Sequence, residues 1–594
     1  MLSQSYHNLY TASIPNCLTP PNRHATIEIA HGKDGCNLNS SPFGYVALAN
    51  RLAAGPPVTS FRREICLLIA LLTIGVGLAW LPLPLAAAGL LGTIAVILIL
   101  LRPVWGLVAL IPLIPFSPLV SLGIGNVRVG GMEALLALTL IAWLLRMAAR
   151  REIVIPHPPL LLPWLLWLGV ILASWTVALS LGDALAETLK WLEMLALYLF
   201  IAANVERRQL PWLVGAMLLA GMAQAALGLY QFLFRVGPEG FLLFGGRFLR
   251  AYGTFHQPNP YAGYLGLVLP IAYSLVLWGL GAGGWGLEGS GRRSAVGGRP
   301  TAASRQPPAP PAPRGGLSWA APAGREAGTG SPHPITHHVL RFTFHVSRFP
   351  RRGPVGTLYA LLSFGLMLVA LYASQSRGAW IGFVAAVVVV SLVRGGRTAV
   401  LFVLAIAVVA ALGAMGTFQV LPQSILQRFG DALAALNIPD IATAEVTDAN
   451  FATIERLAHW GAALAMWRDH LWLGVGFGNY AAVYPAYAIG RWLDPLGHAH
   501  NYYLNVAAET GLVGLLAYGL FWLSAFRLGW QAVRRSTGFQ QAIAAGGLGI
   551  LVHLSLHNMV DNLFVQGMYL QVGIVLGLLC LIYQTRIDNP DRRV

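Results

Sequence analysis

Apolar runs of about 20 residues recur from Ile65 to the C-terminal end of the chain, each the length of helix that crosses a hydrocarbon core of ~30 Å. One such run could be a signal peptide; a dozen or more require a chain whose solvent is lipid. With 56% hydrophobic and only 10% charged residues among 594, the composition agrees. The formal charge of +16 does not point to nucleic acid, because the basic residues form short clusters between apolar runs rather than one basic face. The expected fold class is an all-α polytopic membrane protein of about 12–14 transmembrane helices with a largely helical extracytoplasmic cap.

The spans read 65–81, 84–101, 104–121, 130–147, 159–179, 184–203, 211–234, 261–281, 355–373, 378–394, 398–418, 511–530, 540–556 and 566–584. Span 184–203 is interrupted by Glu187, Lys190 and Glu193 at helical spacing, so these charges need protein or water partners. Lys and Arg accumulate in cytoplasmic loops. Placing both termini inside puts the dense clusters on that side: Arg146, Arg150 and Arg151; Arg207 and Arg208; Arg394 and Arg397; Arg534 and Arg535. Arg128, Arg235, Arg247, Arg250 and Arg377 fall outside, against the rule.

The remaining segments complete the organisation. Residues 1–62 read as a disordered cytoplasmic tail and 63–281 as the N-terminal helices. The stretch 282–354, rich in Pro, Gly and Arg and without apolar periodicity, reads as a disordered basic cytoplasmic linker. Helices follow at 355–418, an extracytoplasmic domain with helical periodicity at 419–510, the C-terminal helices at 511–584 and a cytoplasmic tail at 585–594. The four cysteines are scattered between the polar N-terminal tail and the ends of apolar spans, which predicts neither a disulfide framework nor a cysteine metal site.

Four places on the outer side concentrate polar chemistry. In "GGRFLRAYGTFHQPNPYAGYL", Arg250 either anchors at the interface or binds an anion, and Asn259 reads as the cap of the next helix with Pro260 at its first position. In "SQSRGAWIGF", Arg377 lies at a helix mouth with almost no aqueous loop, where an ionisable group is a functional candidate and its planar fork suits phosphate oxygens. In "LGHAHNYYLNVAAETGLVGLL", His498, His500 and Asn501 offer either a proton acceptor for a hydroxyl or an interfacial cap. A metal on His498 and His500 would need ligands from elsewhere. In "LHNMVDNLF", His557 and Asp561 stand one helical turn apart, so the acid either orients the imidazole or forms a helix-end ion pair. Arg456 and Glu509 also fall in the outer segment, and Glu509 could simply close the approach to the next helix.

Taken in order, "RAYGTFHQPN", "SQSRGAW", "ERLAHWGAALAMWRDHLWLGVGFGNY" and "HAHNYYLNVAAETGLVG" resemble the bacterial O-antigen ligase and polymerase family, most clearly over about 360–515. The resemblance implies an inner-membrane glycosyltransferase that moves a glycan from an undecaprenyl diphosphate carrier to an acceptor hydroxyl on the extracytoplasmic side, with no metal or cofactor. It implies His500 as the base and Arg377, Arg250 and more weakly Arg456 as diphosphate binders; beside these, Asn501, His498, Glu509, His557 and Asp561 are read from their positions as supporting residues. The partners would be a lipid-linked glycan donor, a glycan, lipid or protein acceptor, and membrane lipid. A transporter or flippase for an anionic or lipid-linked solute is the competing class; it would show inverted repeats and polar groups near the bilayer midplane.

Overall fold

A computed structural model describes residues 82–119, 121–124, 127–151, 156–243, 248–282, 354–395, 441–447 and 450–584, with isolated positions Ile69, Gly75 and Gly246. The expected spans 65–81 and 398–418, most of the linker, Arg247 and the two tails lie outside the described residues. The chain divides into Met1–Leu90 and Leu91–Val594. Within the first unit the described residues cover little more than the start of α1 (Leu83–Leu101), and every later element belongs to the second unit.

Among its described residues that second unit is mainly helical, with strands limited to two short hairpins, Ser121–Ile124 with Val127–Gly130 and Leu242–Leu243 with Phe248–Leu249. Among the described residues, eight helices are long and apolar enough to cross a membrane, and Val104–Leu119, Leu161–Val177 and Met568–Gln584 are shorter apolar ones. In chain order the helices are α2 (Val104–Leu113), α3 (Gly131–Arg150), α4 (Leu161–Ser174), α5 (Leu181–Asn204), α6 (Leu210–Phe234), α7 (Pro258–Gly266), α8 (Leu269–Ala282), α9 (Pro354–Ser374) and α10 (Arg377–Arg394). They continue with α11 (Phe451–Asp469), the single turn α12 (Tyr480–Val483), α13 (Tyr502–Arg535), α14 (Gly538–His557) and α15 (Met568–Gln584). The fold is thus the all-α polytopic membrane protein expected.

Because lipid tails solvate apolar side chains as well as a protein core does, helices in a bilayer associate by close packing rather than by burial from water. The C-terminal helices follow that rule. α14 packs on α8, α10 and α13, α15 packs on α5 and α13, and α13 packs on α4. Gly546 lies against the Ile271 backbone, and the Cβ of any larger residue there would stand 2.5 Å from the Ile271 Cα. An aromatic cluster of Trp164, Trp167, Trp191, Tyr518 and Phe521, with ring centroids 4.9–6.2 Å apart, locks α4, α5 and α13 together. Such pairs contribute about 0.5–1.5 kcal/mol each beyond area burial.

On α5 the interrupting charges find partners: Glu187 pairs with Lys190, and Glu193 accepts from the Tyr569 hydroxyl at 2.6 Å. α13 begins nine residues before the expected span and is broken at Gly511, whose φ of 66° no regular helix contains. The turn segment 471–476 crosses the break. Leu512 and Val513 donate to the carbonyls of Leu471 and Trp472, and Val475 and Gly476 donate to those of Ala508 and Glu509. A break in a membrane helix is tolerated where other backbone satisfies the freed groups, and here the segment following α11 does so.

Candidate functional site

The site gathers around the turn between α14 and α15, which receives groups from three other parts of the chain. His500 lies immediately before α13. Its neighbour Asn501 is the N-cap, accepting the amides of Tyr503 and Leu504 at 3.0 and 3.1 Å, so Asn501 sets where the helix starts rather than reaching into the site. His500 itself is left-handed, with φ 52°. A non-glycine residue in that region costs of order 1 kcal/mol and persists only where its surroundings over-determine it. They do so here: Ala499 donates to Asn505 Oδ1, the His500 amide donates to His498 Nδ1, Trp460 Nε1 donates to the His500 carbonyl, and the Tyr502 amide donates to the Asn558 carbonyl.

The last of these bonds ties the histidine segment to the α14–α15 turn. There Asp561, 5% exposed, places Oδ1 3.7 Å from His500 Nδ1, an ion-pair distance rather than a hydrogen bond. Burial alone would raise the Asp561 carboxyl. The facing His500, with His498, Arg456 and His557 around it, outweighs burial and holds it below the ordinary carboxylate range. Asp561 is therefore an anion fixed against His500. The reading of "LHNMVDNLF" paired it with His557; the helix instead ends at His557, and the turn that follows swings the acid to a histidine 61 positions earlier. His557 is fully enclosed, and its Nδ1 has no hydrogen-bond partner among the described residues.

His498 stacks edge-on against His500 with centroids 4.4 Å apart, and burial, then the neighbouring His500, pushes it down to about 3. Sequence reasoning missed His459, on α11. It sits 5.7 Å from the His500 ring, stacks on Tyr484, bonds the Tyr480 hydroxyl through Nδ1 at 2.9 Å, and is likewise pushed down to about 4, chiefly by burial. The signal for it was weak, a single histidine inside an amphipathic helix. Both imidazoles are neutral at ordinary pH.

The arginines arrive from the other side. Arg456 donates from Nε to the Val560 carbonyl at 3.1 Å, next to Asp561, and from Nη1 to Ala452. Arg377 opens α10. The adjacent Gly378 is so close to the turn that a Cβ there would lie 2.6 Å from Val560 Cγ2 and 3.0 Å from His557 Cδ2. Arg250 donates from Nε to the Ser374 carbonyl, three residues before Arg377, and from Nη2 to Asn259 Oδ1. Asn259 thus holds the arginine rather than capping α7, whose N-cap is Gln257. Arg456 thus bonds to the turn that carries Asp561, Gly378 packs the start of α10 against that turn, and Arg250 is tied to the Ser374 end of the same corner. Glu509 stands apart: it is buried beside the helix break and accepts the Tyr480 amide at 3.0 Å, which seats α12.

His498, His500 and Asp561 also bring ligand atoms within 4.8 Å of one another. Two imidazoles and one carboxylate are a possible partial metal set, one donor short of the closed four-coordinate sites proteins build for zinc. The arrangement equally makes a carboxylate-backed imidazole, in which Nδ1 faces the acid and Nε2 is enclosed without a hydrogen-bond partner among the described residues.

Residues 362–519 match the family model described as O-antigen ligase. No curated protein matches the chain. The matched stretch begins in α9 and ends eight residues beyond the break in α13, so it takes in Arg377, Arg456, His498, His500 and Glu509, and leaves out Arg250, His557 and Asp561.

Proposed function

We propose that this membrane protein, through its O-antigen-ligase-type domain, transfers a glycan from an undecaprenyl diphosphate carrier to an acceptor hydroxyl. The observation that carries the reading is the His500–Asp561 pair with Arg456 bonded to the same turn, beside the corner that carries Arg377 and Arg250. A transfer of this kind needs a base for one hydroxyl proton and cations for a leaving diphosphate, and these residues are of those types.

In this reading the acceptor oxygen attacks the anomeric carbon and its proton passes to His500 Nε2. The bond from that carbon to the diphosphate oxygen breaks, and the leaving group carries off the electron pair. Asp561, ionised and 3.7 Å from Nδ1, stabilises the imidazolium that forms, and Nε2, enclosed and without a hydrogen-bond partner among the described residues, is the nitrogen that takes the proton. Arg377, with Arg250 and Arg456 behind it, offsets the negative charge that grows on the diphosphate; donors aimed at developing charge are commonly the largest single contribution to catalysis.

The test is transfer from a purified lipid diphosphate donor by the reconstituted full-length protein. His500→Ala should lower kcat by about 10²–10⁴, the range for loss of a general base. Arg377→Ala should lower it by about 10²–10³. Chelator should leave the wild type unchanged. Transfer that persists in His500→Ala removes the base assignment, and transfer abolished by chelator and restored by a divalent ion moves the His498–His500–Asp561 cluster to a metal role. A wild type inactive with every donor but able to move labelled lipid diphosphate across vesicles favours the transporter class.

A further inference from the structure

Three side chains that can ligate a metal meet at His500 from two separate parts of the chain. His498 and His500 flank Ala499 ahead of α13, and Asp561 comes from the turn after α14. One ligand atom of each lies within 4.8 Å of the other two. In a tetrahedral zinc site, with bonds of about 2.0–2.1 Å, neighbouring ligand atoms stand about 3.4 Å apart, and the His500 Nδ1–Asp561 Oδ1 distance of 3.7 Å is already close to that. The farthest pair has to close by at most about 1.4 Å, a shift that side-chain rotation supplies. Both His500 ring nitrogens are enclosed and make no hydrogen bond among the described residues, so ligation there breaks none. At His498 it exchanges a single bond, the one Nδ1 accepts from the His500 amide.

We propose that His498, His500 and Asp561 bind a divalent ion of the zinc type, as three protein ligands with the fourth position open, and that the bound ion blocks transfer. Two imidazoles with one carboxylate favour such an ion over magnesium or calcium, which take oxygen ligands. The charge around the trio suits a dication as well. Glu455, half-buried on α11, interacts electrostatically with His500, and Asp494 with Glu455 and His459. Arg456, the nearby cation, is bonded to the Val560 and Ala452 carbonyls, and these two acids besides Asp561 offset its charge. The block rests on His500 being the base of the proposed transfer: the ion takes a ring lone pair and the Asp561 charge, so no imidazole remains there to accept the hydroxyl proton. Zinc is thus an inhibitor at this site and not a cofactor.

The experiment titrates the full-length protein in detergent, first stripped with chelator, with zinc, cobalt(II), magnesium and calcium chlorides, and follows the melting temperature and the visible absorption of cobalt. Zinc and cobalt should bind saturably and raise the melting temperature, and cobalt should give the visible band of a site with nitrogen ligands; magnesium and calcium should do neither. His498→Ala and Asp561→Asn should each weaken zinc binding by about 10²-fold or more. Asp561→Asn, which keeps the side chain's shape, carries the comparison alone if His498→Ala fails to fold, and the contrast of zinc with magnesium needs no variant. Absent saturable zinc binding, magnesium binding equal to zinc, or zinc binding unchanged in both variants would each overturn the site. In reconstituted transfer, zinc at its binding concentration should inhibit and chelator should restore the rate; full transfer with the site occupied would overturn the block and leave the site. A wild type that transfers nothing removes the base and the block together, while the metal titration, which needs no turnover, still decides the site.

Discussion

Replacing Asp561 by Asn keeps the shape of the side chain and removes the charge that faces His500. If the carboxylate stabilises an imidazolium, Asp561→Asn should lower kcat by about 10²-fold or more with little change in KM, whereas a packing role alone would leave kcat near wild type. His459 supports a different prediction, about stability. Its folded pKa, near 4, is below the unfolded value of 6.5, so between those values the unfolded chain binds the extra proton. Stability from this residue is complete above about pH 6.5 and is lost as pH falls toward 4, with a slope of at most about 1.4 kcal/mol per pH unit. The apparent melting temperature of His459→Gln should therefore fall less steeply than that of the wild type over this range; parallel curves would remove His459 as the source. At this scale the sequence offered residues that meet at one turn but paired them differently. His500, His557 and Asp561 were all legible as candidates, because polar groups against a bilayer are conspicuous. That Asp561 faces His500 was not, since spacing reports neighbours only while a helix continues, and α14 stops at His557.

Among the elements, the break in α13 does most to position the site. Gly511 sits at φ 66° with the Trp472 carbonyl carbon and oxygen where a Cβ would be, and Gly474 opposite has φ 67° against the Glu509 and Thr510 backbone. Gly511→Ala thus meets both left-handed strain and backbone overlap, and it should destabilise the folded protein by more than about 1–2 kcal/mol. Because the crossing holds α11 and its Arg456 against the start of α13, transfer should be lost along with thermal stability. An unchanged melting temperature would show that the crossing can shift at low cost. The break explains why the span at 511–530 was read too short. Hydropathy marks the apolar run after Gly511, whereas Tyr502–Thr510 carries Asn505 and Glu509 and is helical because Asn501 caps it and the 471–476 segment supports it. The helices at 355–373 and 378–394 were legible to within a residue, because "SQS" interrupts two uniform apolar runs.

At the scale of the whole molecule, charge and geometry bear on one question, which face of the membrane holds the site. The helices place Arg377, His557 and His500 at one end of α10 and α14 and Arg207, Arg208 and Arg394 at the other. Dense arginine clusters retain loops on the cytoplasmic side, and on that rule we predict the second end inside and the His500 end outside. Of the five arginines that run against the rule, Arg377 and Arg250 lie at the corner packed beside the turn that carries Asp561. Single cysteines introduced in a cysteine-free background at Asp494 and Arg208, both exposed, make the arrangement measurable. In intact cells or sealed right-side-out vesicles, a membrane-impermeant maleimide should label Asp494→Cys directly and Arg208→Cys only after permeabilisation. The reverse pattern would put the His500 end in the cytoplasm, and with it any transfer chemistry; labelling of both before permeabilisation would place the two ends on one face and remove α10 and α14 as membrane crossings.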